Sequence, residues 1–108
     1  MGKIYYDRDA DISYLRNRKI AIIGYGNQGR AQALNMRDSG VEDIIVGSIK
    51  DDSWEQARQD GFEVFPIEEA SQKADIIFML IPDEYAPKVY KESIQPYLKE
   101  GVVLNFAS

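Results

Sequence analysis

Gly24-Tyr25-Gly26-Asn27-Gln28-Gly29 is the stretch that decides how this chain folds. Before it, Lys19-Ile20-Ala21-Ile22-Ile23 reads as a buried parallel strand. After it, Asn27 to Ser39 reads as a helix closed by Gly40. Asp43-Ile44-Ile45-Val46-Gly47 then reads as a second apolar strand. A bare G-x-G-x-x-G is a weak signal, but strand, glycine turn, helix and strand in one unit form the fingerprint of a dinucleotide-binding fold. Gly24 allows the tight turn, and Gly26 lets backbone approach a pyrophosphate. Gly29 lets helix and strand pack closely. The helix start offers free N–H groups and a positive dipole end to the anion. Turn punctuation explains single glycines, not the whole unit.

The chain has 108 residues, the size of one domain, so the expected organisation is a single dinucleotide-binding domain over 1–108. The hydrophobic share of 44% is that of a globular protein rather than a disordered one. A net charge of -5 argues against a nucleic-acid footprint and against an anionic membrane surface. Without cysteine there is no disulfide framework and no thiolate chemistry, which fits a reducing cytoplasm. Without histidine, acid–base work falls to a carboxylate, Lys or Tyr, or lies outside the chain. The opening Met1-Gly2-Lys3-Ile4-Tyr5-Tyr6-Asp7 has no long apolar region and is not read as a secretory signal. The longest apolar run, Ile76 to Ile81, is too short to span a bilayer.

Further along, strands and helices alternate. A short helix through Leu15 is expected after an Asp9 or Asp11 cap. A second main helix is predicted from Ser53, as N-cap, to Asp60, with exit at Gly61. A strand over Glu63-Val64-Phe65, a helix from Ile67 to Gln72 and a strand over Asp75–Ile81 follow. Last come a helix from about Asp83 to Leu98 and a strand over Val102–Phe106. This alternation implies an α/β fold, a doubly wound parallel sheet of five strands in the order 3-2-1-4-5. The crevice between strands one and four would then bring Gly24, Tyr25, Gly26, Asn27, Gln28 and Gly29 to Ile81-Pro82-Asp83, with Ile81 and Pro82 beside the cofactor.

The loop after the second strand is expected to select the cofactor. NAD-binding folds usually place an acid about 20 residues beyond the glycines, yet this strand ends in Gly47-Ser48. Ser48, Lys50 and Ser53 can hold a 2′-phosphate. Asp51 and Asp52 repel it and can accept bonds from ribose hydroxyls. Pro82-Asp83-Glu84 reads as a helix start favoured by its charge rather than as an acid–base pair. Asp7, Asp9 and Asp11 lack the Gly and distal Glu of a calcium loop, so no metal ligand is assigned. Tyr85, Tyr90 and Tyr97 are expected to pack rather than stack on a ligand.

Several of these stretches, in fixed order, resemble ketol-acid reductoisomerases. The likeness is carried by Tyr5-Tyr6-Asp7, Asp9-Ala10-Asp11-Ile12, Ile22 to Gly29, Ala33-Leu34-Asn35, Asp38-Ser39-Gly40-Val41, Ala74 to Ile77 and Leu80 to Glu84. It extends over essentially the whole chain. The resemblance implies an enzyme of branched-chain amino acid synthesis. Such enzymes rearrange acetolactate or acetohydroxybutyrate and reduce the product with NAD(P)H, using two Mg2+ ions. It further implies a helical second domain carrying the metal ligands, absent from this chain, and a homo-oligomer at full length. Many members carry a catalytic histidine where this chain has Ser108, the one candidate catalytic residue here, which can still hydrogen-bond. Members often carry His after the third fingerprint glycine; Arg30 stands there and is expected to add phosphate affinity. The short loop with Asp51 and Asp52 favours NADH, or use of both cofactors.

Two other functions compete. One is a different dehydrogenase, of prephenate or hydroxyacid type; the Tyr-Tyr-Asp opening and the Pro-Asp-Glu exit oppose it. The other is an NAD(H)-sensing regulatory domain without turnover, which usually has an acid at the end of strand two; Gly47-Ser48 opposes it.

Overall fold

Four consecutive residues, Ile20–Ile23, are wholly inaccessible to solvent, and they form the central strand β1. A strand buried on both faces needs parallel neighbours covered by helices, and it has them. The computed structural model describes residues 18–49, 51–81 and 84–106. The expected helix capped by Asp9 or Asp11, and Lys50, Pro82, Asp83 and Ser108, lie outside those residues.

After β1 come α1 (Asn27–Asp38), β2 (Ile44–Gly47), α2 (Asp52–Gln59) and β3 (Glu63–Phe65). Then follow α3 (Ile67–Lys73), β4 (Ile76–Met79), α4 (Ala86–Val89) and β5 (Val103–Phe106). All pairings are parallel and the sheet order is β3-β2-β1-β4-β5, the doubly wound arrangement expected from the sequence. Ile20 lies opposite Ile44 on one side and Ile76 on the other.

Alternate residues of each strand feed opposite faces. Ile20, Ile22 and Val46 pack with Ala33 and Met36 of α1 and Ala57 of α2. Ala21, Ile23, Ile45 and Ile77 pack with Ala70 of α3 and with Ile94. Each buried isoleucine contributes roughly 1.5–3 kcal/mol.

The expected long helix from Asp83 to Leu98 is broken among the described residues. α4 is a single turn, continued by a π-helical turn over Tyr90–Ile94 and a 3-10 turn over Gln95–Tyr97. Pro96 has no N–H to give Glu92, and its ring crowds that carbonyl, so regular α geometry cannot continue. Ile94 is nevertheless fully buried, so packing holds the distorted segment in place.

The amino ends of the three strands on this side meet at Asp75. Its carboxylate accepts from the Lys19 N–H at 2.9 Å and pairs with Lys99 Nζ at 2.9 Å. Its own N–H donates to the Lys19 carbonyl, and its carbonyl accepts from the Val103 N–H. The Lys19 hydrogen bond, and then Lys99, hold the Asp75 carboxyl below the usual carboxylate range. A depressed folded-state pKa means stability present above the unfolded pKa and lost as pH falls through the folded one. Charged hydrogen bonds are worth about 1.5–3 kcal/mol, discounted here for solvent exposure, so Asp75→Asn is expected to cost about 1 kcal/mol at neutral pH. Urea unfolding checks this. The gap between wild type and variant should narrow below about pH 4; a gap that widens there contradicts the assignment.

Candidate functional site

The site is built at the carboxyl end of β1, where the chain must turn sharply into α1. Gly24 takes φ +93°, a conformation that disfavours any side chain, and a Cβ there would lie 3.0 Å from Ile81 Cγ1 and 3.2 Å from the Ile81 nitrogen. The glycine turn and the exit of β4 therefore touch, as the doubly wound order requires. The Gly24 N–H donates to the Gly47 carbonyl at 3.0 Å, which ties the loop to the end of β2 as well. Gly29 has no room for a side chain: a Cβ would sit 2.0 Å from the Gly24 carbonyl oxygen.

Gly26 is different. It is exposed, its backbone is ordinary extended chain, and a Cβ there would meet nothing within 4 Å. As N-cap residue it has no side chain to satisfy the first N–H groups of α1, and no acid stands in the first turn. Asn27 and Gln28 are exposed beside it. The helix start thus presents unpaired donors and a positive dipole end at an open surface, the arrangement that receives a phosphate.

Tyr25, expected among the cofactor-binding residues, turns its side chain inward and is 3% exposed. Its hydroxyl donates to Asp60 Oδ2 at 2.5 Å, and its ring meets Phe62 edge-on at 6.1 Å. Burial, and then the Asp60 carboxylate, push the Tyr25 hydroxyl well above its ordinary pKa. Only the backbone of Tyr25 is left to the loop surface.

Arg30, expected to add phosphate affinity, is engaged by Asp60 instead. Its Nε donates to Asp60 Oδ2 at 2.8 Å and its Nη2 to Oδ1 at 3.3 Å. A two-pronged guanidinium–carboxylate pair is the preferred geometry for both groups. Gln56 Nε2 also donates to Asp60, at 3.1 Å, and Arg37 donates to the Asp60 carbonyl. The Arg30 hydrogen bonds, then that of Tyr25, hold the Asp60 carboxyl far below the usual carboxylate range. Asp60, which the sequence pattern marks only as a helix end, thus gathers Tyr25, Arg30 and Gln56 around one carboxylate. The grouping is three-dimensional: 30 residues separate Arg30 from Asp60.

At the exit of β2, Ser48 is buried and its Oγ donates to the Ile49 carbonyl at 2.9 Å, while Ile49 is 66% exposed. Ser53 was expected to cap α2, but Asp51 does so. Its Oδ1 accepts from the N–H groups of Ser53 at 2.9 Å and Trp54 at 3.4 Å. A carboxylate is the stronger acceptor and gains from the helix dipole, so the helix begins at Asp52. Asp52 and Glu55 add negative charge in the first turn. Next to this loop lies an open depression of about 330 Å3, bordered by Ser48, Ile49, Trp54, Pro66, Ile67, Glu68 and Ser93. Among the described residues no three carboxylates converge in a way that could hold a metal ion. No helix among them is long and apolar enough to cross a membrane.

The model of a known family, the NADPH-binding domain of acetohydroxy acid isomeroreductase, matches residues 14–108. The chain belongs to this family, the ketol-acid reductoisomerases. It is 57% identical over 107 residues to the ketol-acid reductoisomerase (NADP(+)) of Pyrobaculum aerophilum, covering 99% of this chain and 33% of that protein. It is 53% identical over 105 residues to the enzyme of the same name from Pyrococcus abyssi, covering 97% of this chain and 32% of that one. The chain thus spans about a third of the length of the curated relatives it matches. A solved NADH-preferring ketol-acid reductoisomerase from an uncultured archaeon superposes with a TM-score of 0.84 at 45% identity, over 94% of this chain and 32% of its own. A putative D-3-phosphoglycerate dehydrogenase from Ralstonia solanacearum, at 24% identity and TM-score 0.68, shares the fold alone. The competing dehydrogenase and sensor readings give way to the family match.

Two glycine substitutions separate fold from site. Gly29→Ala is expected to cost about 2 kcal/mol or more, because the added Cβ cannot avoid the Gly24 carbonyl. Gly26→Val fits the backbone and open space, so its stability should stay within about 1 kcal/mol of wild type. Its affinity for NADH should nevertheless fall at least about tenfold. Denaturant melts with calorimetric titration measure both. Unchanged NADH affinity in Gly26→Val would contradict the placement of the phosphate.

Proposed function

We propose that this chain is the cofactor-holding part of a ketol-acid reductoisomerase and binds NAD(P)H at the turn from β1 into α1. The observation that carries this is the bare start of α1 beside Gly26, with open space where a pyrophosphate would lie. The N–H groups of Gly26 to Gly29 hold the pyrophosphate, and Gly24 sets the turn. Ser48, Lys50, Asp51, Asp52 and Ser53 surround the adenosine ribose, and Ile81 and Pro82 flank the cofactor on the β4 side. The open depression beside Ile49 and Trp54, mostly apolar but edged by Ser48, Glu68 and Ser93, offers the adenine ring a place next to that ribose. Bound NAD(P)H supplies a hydride. The chain's own part is to hold the pyrophosphate and the adenosine half of the cofactor in place.

The rearrangement of acetolactate or acetohydroxybutyrate belongs to the whole enzyme, with its reduction step, its Mg2+ ions and its homo-oligomeric assembly in the cytoplasm. The described residues of this chain do not fit a magnesium site, since no acidic cluster is present among them. We assign the metal ligands to the part of the relatives that this chain does not match. Ser108 takes the position of the family's usual histidine and is assigned a hydrogen bond there rather than a proton transfer.

For cofactor choice we favour NADH. A 2′-phosphate near Asp51 and Asp52 meets two negative charges. One oxygen of Asp51 is already bound by two N–H groups of α2, which softens the repulsion. Lys50 and Ser53 oppose it further. The preference is therefore modest. Replacing Asp51 and Asp52 by Ser should move it toward NADPH, and added salt should shrink that move. A wild-type preference for NADPH of about tenfold or more, roughly 1.4 kcal/mol, would overturn this choice.

A further inference from the structure

Asp60 lies in the network that is least expected from the cofactor site, because it caps the far end of α2 and yet grips the glycine turn. Its side chain is only 12% exposed, and its carboxylate takes three side-chain donors: Tyr25 from the turn, Arg30 from α1, and Gln56 from its own helix. Arg37, lower on α1, donates to the Asp60 carbonyl and lies over the Phe62 ring at 4.5 Å. Phe62 in turn meets Tyr25. The second residue of the glycine fingerprint is thus anchored from outside the site, and α1 is fixed to α2 at two points along its length.

We propose that Asp60 is a positioning residue for cofactor binding, which acts through Tyr25 and Arg30 to hold the glycine turn in its phosphate-receiving shape before the cofactor arrives.

The physical case is one of preorganisation. Gly24 and Gly26 have no side chain to restrain their own backbone dihedrals, and the phosphate needs the N–H groups from Gly26 onward in one arrangement. Between them stands Tyr25, whose phenol is clamped at both ring and hydroxyl. Holding that one side chain restrains the dihedrals on either side. The Asp60 carboxylate also occupies Arg30, so the guanidinium serves the scaffold and the anion is left to the backbone donors. The low pKa of Asp60 and the raised pKa of Tyr25 keep this clamp in a single protonation state around neutrality.

This inference rests on the cofactor reading above, so the test begins with NADH and wild-type chain. Absence of NADH binding by the wild type would sink that reading and this one together. Given binding, Asp60→Asn and Tyr25→Phe are titrated with NADH and, separately, with adenosine, which lacks the pyrophosphate. Tyr25→Phe keeps the ring and its packing, so it serves if Asp60→Asn unfolds. Each variant should lose at least about fivefold in NADH affinity while its adenosine affinity stays within about twofold of wild type. The double variant should be no weaker than Asp60→Asn alone, because both act on one clamp. Asp60→Glu should recover part of the loss. Equal loss for NADH and adenosine would make Asp60 a general fold residue and overturn the proposal. So would unchanged NADH affinity in Tyr25→Phe.

Discussion

The contact on which the rest depends is that between Gly29 and the carbonyl of Gly24. Any side chain at position 29 would overlap that oxygen. Because it has none, α1 starts directly against the end of β1, and its first N–H groups face the open crevice. From this follow the turn at Gly24 with its positive φ, the bond from Gly24 to Gly47, and the contact with Ile81. Three strand ends are drawn to one point by the packing of one glycine.

That point is held from behind by polar groups. Asp75 joins the amino ends of β1, β4 and β5, far from the crevice. Asp60 joins the glycine turn to α1 and α2 from the side. Both carboxylates sit in partly buried positions and are matched by donors, so they specify geometry at little desolvation cost. The apolar layers supply the bulk of the stabilisation, while these two acids set how the layers meet.

Much of this was legible in the sequence, and the reason is periodicity. Ile20–Ile23 and Ile76–Met79 are uninterrupted apolar runs of strand length, and their alternation with helical stretches points to a doubly covered parallel sheet. Glycine spacing announced the turn. What could not be read was decided by partners distant along the chain or by competition between neighbours. Arg30 reads as a phosphate ligand until Asp60 is seen beside it. Tyr25 reads as part of the site until its hydroxyl is found pointing away. Ser53 and Asp51 are both good caps, and the choice turned on which side chain reached the free N–H groups. The segment after β4 is helical over nearly the expected span but not a regular α-helix, and Pro96 is the residue in its sequence that marks this.

The central claim is that a nicotinamide dinucleotide is received by the backbone between Gly24 and Gly29. Its most direct test is a titration of isotope-labelled chain with NADH, followed by amide NMR. The largest shifts should fall on the N–H groups of Gly26, Asn27, Gln28 and Gly29, with a second group at Ser48 and Asp51 to Ser53. Shifts that leave these amides unmoved, or that gather instead on the β3 edge of the sheet, would contradict the account.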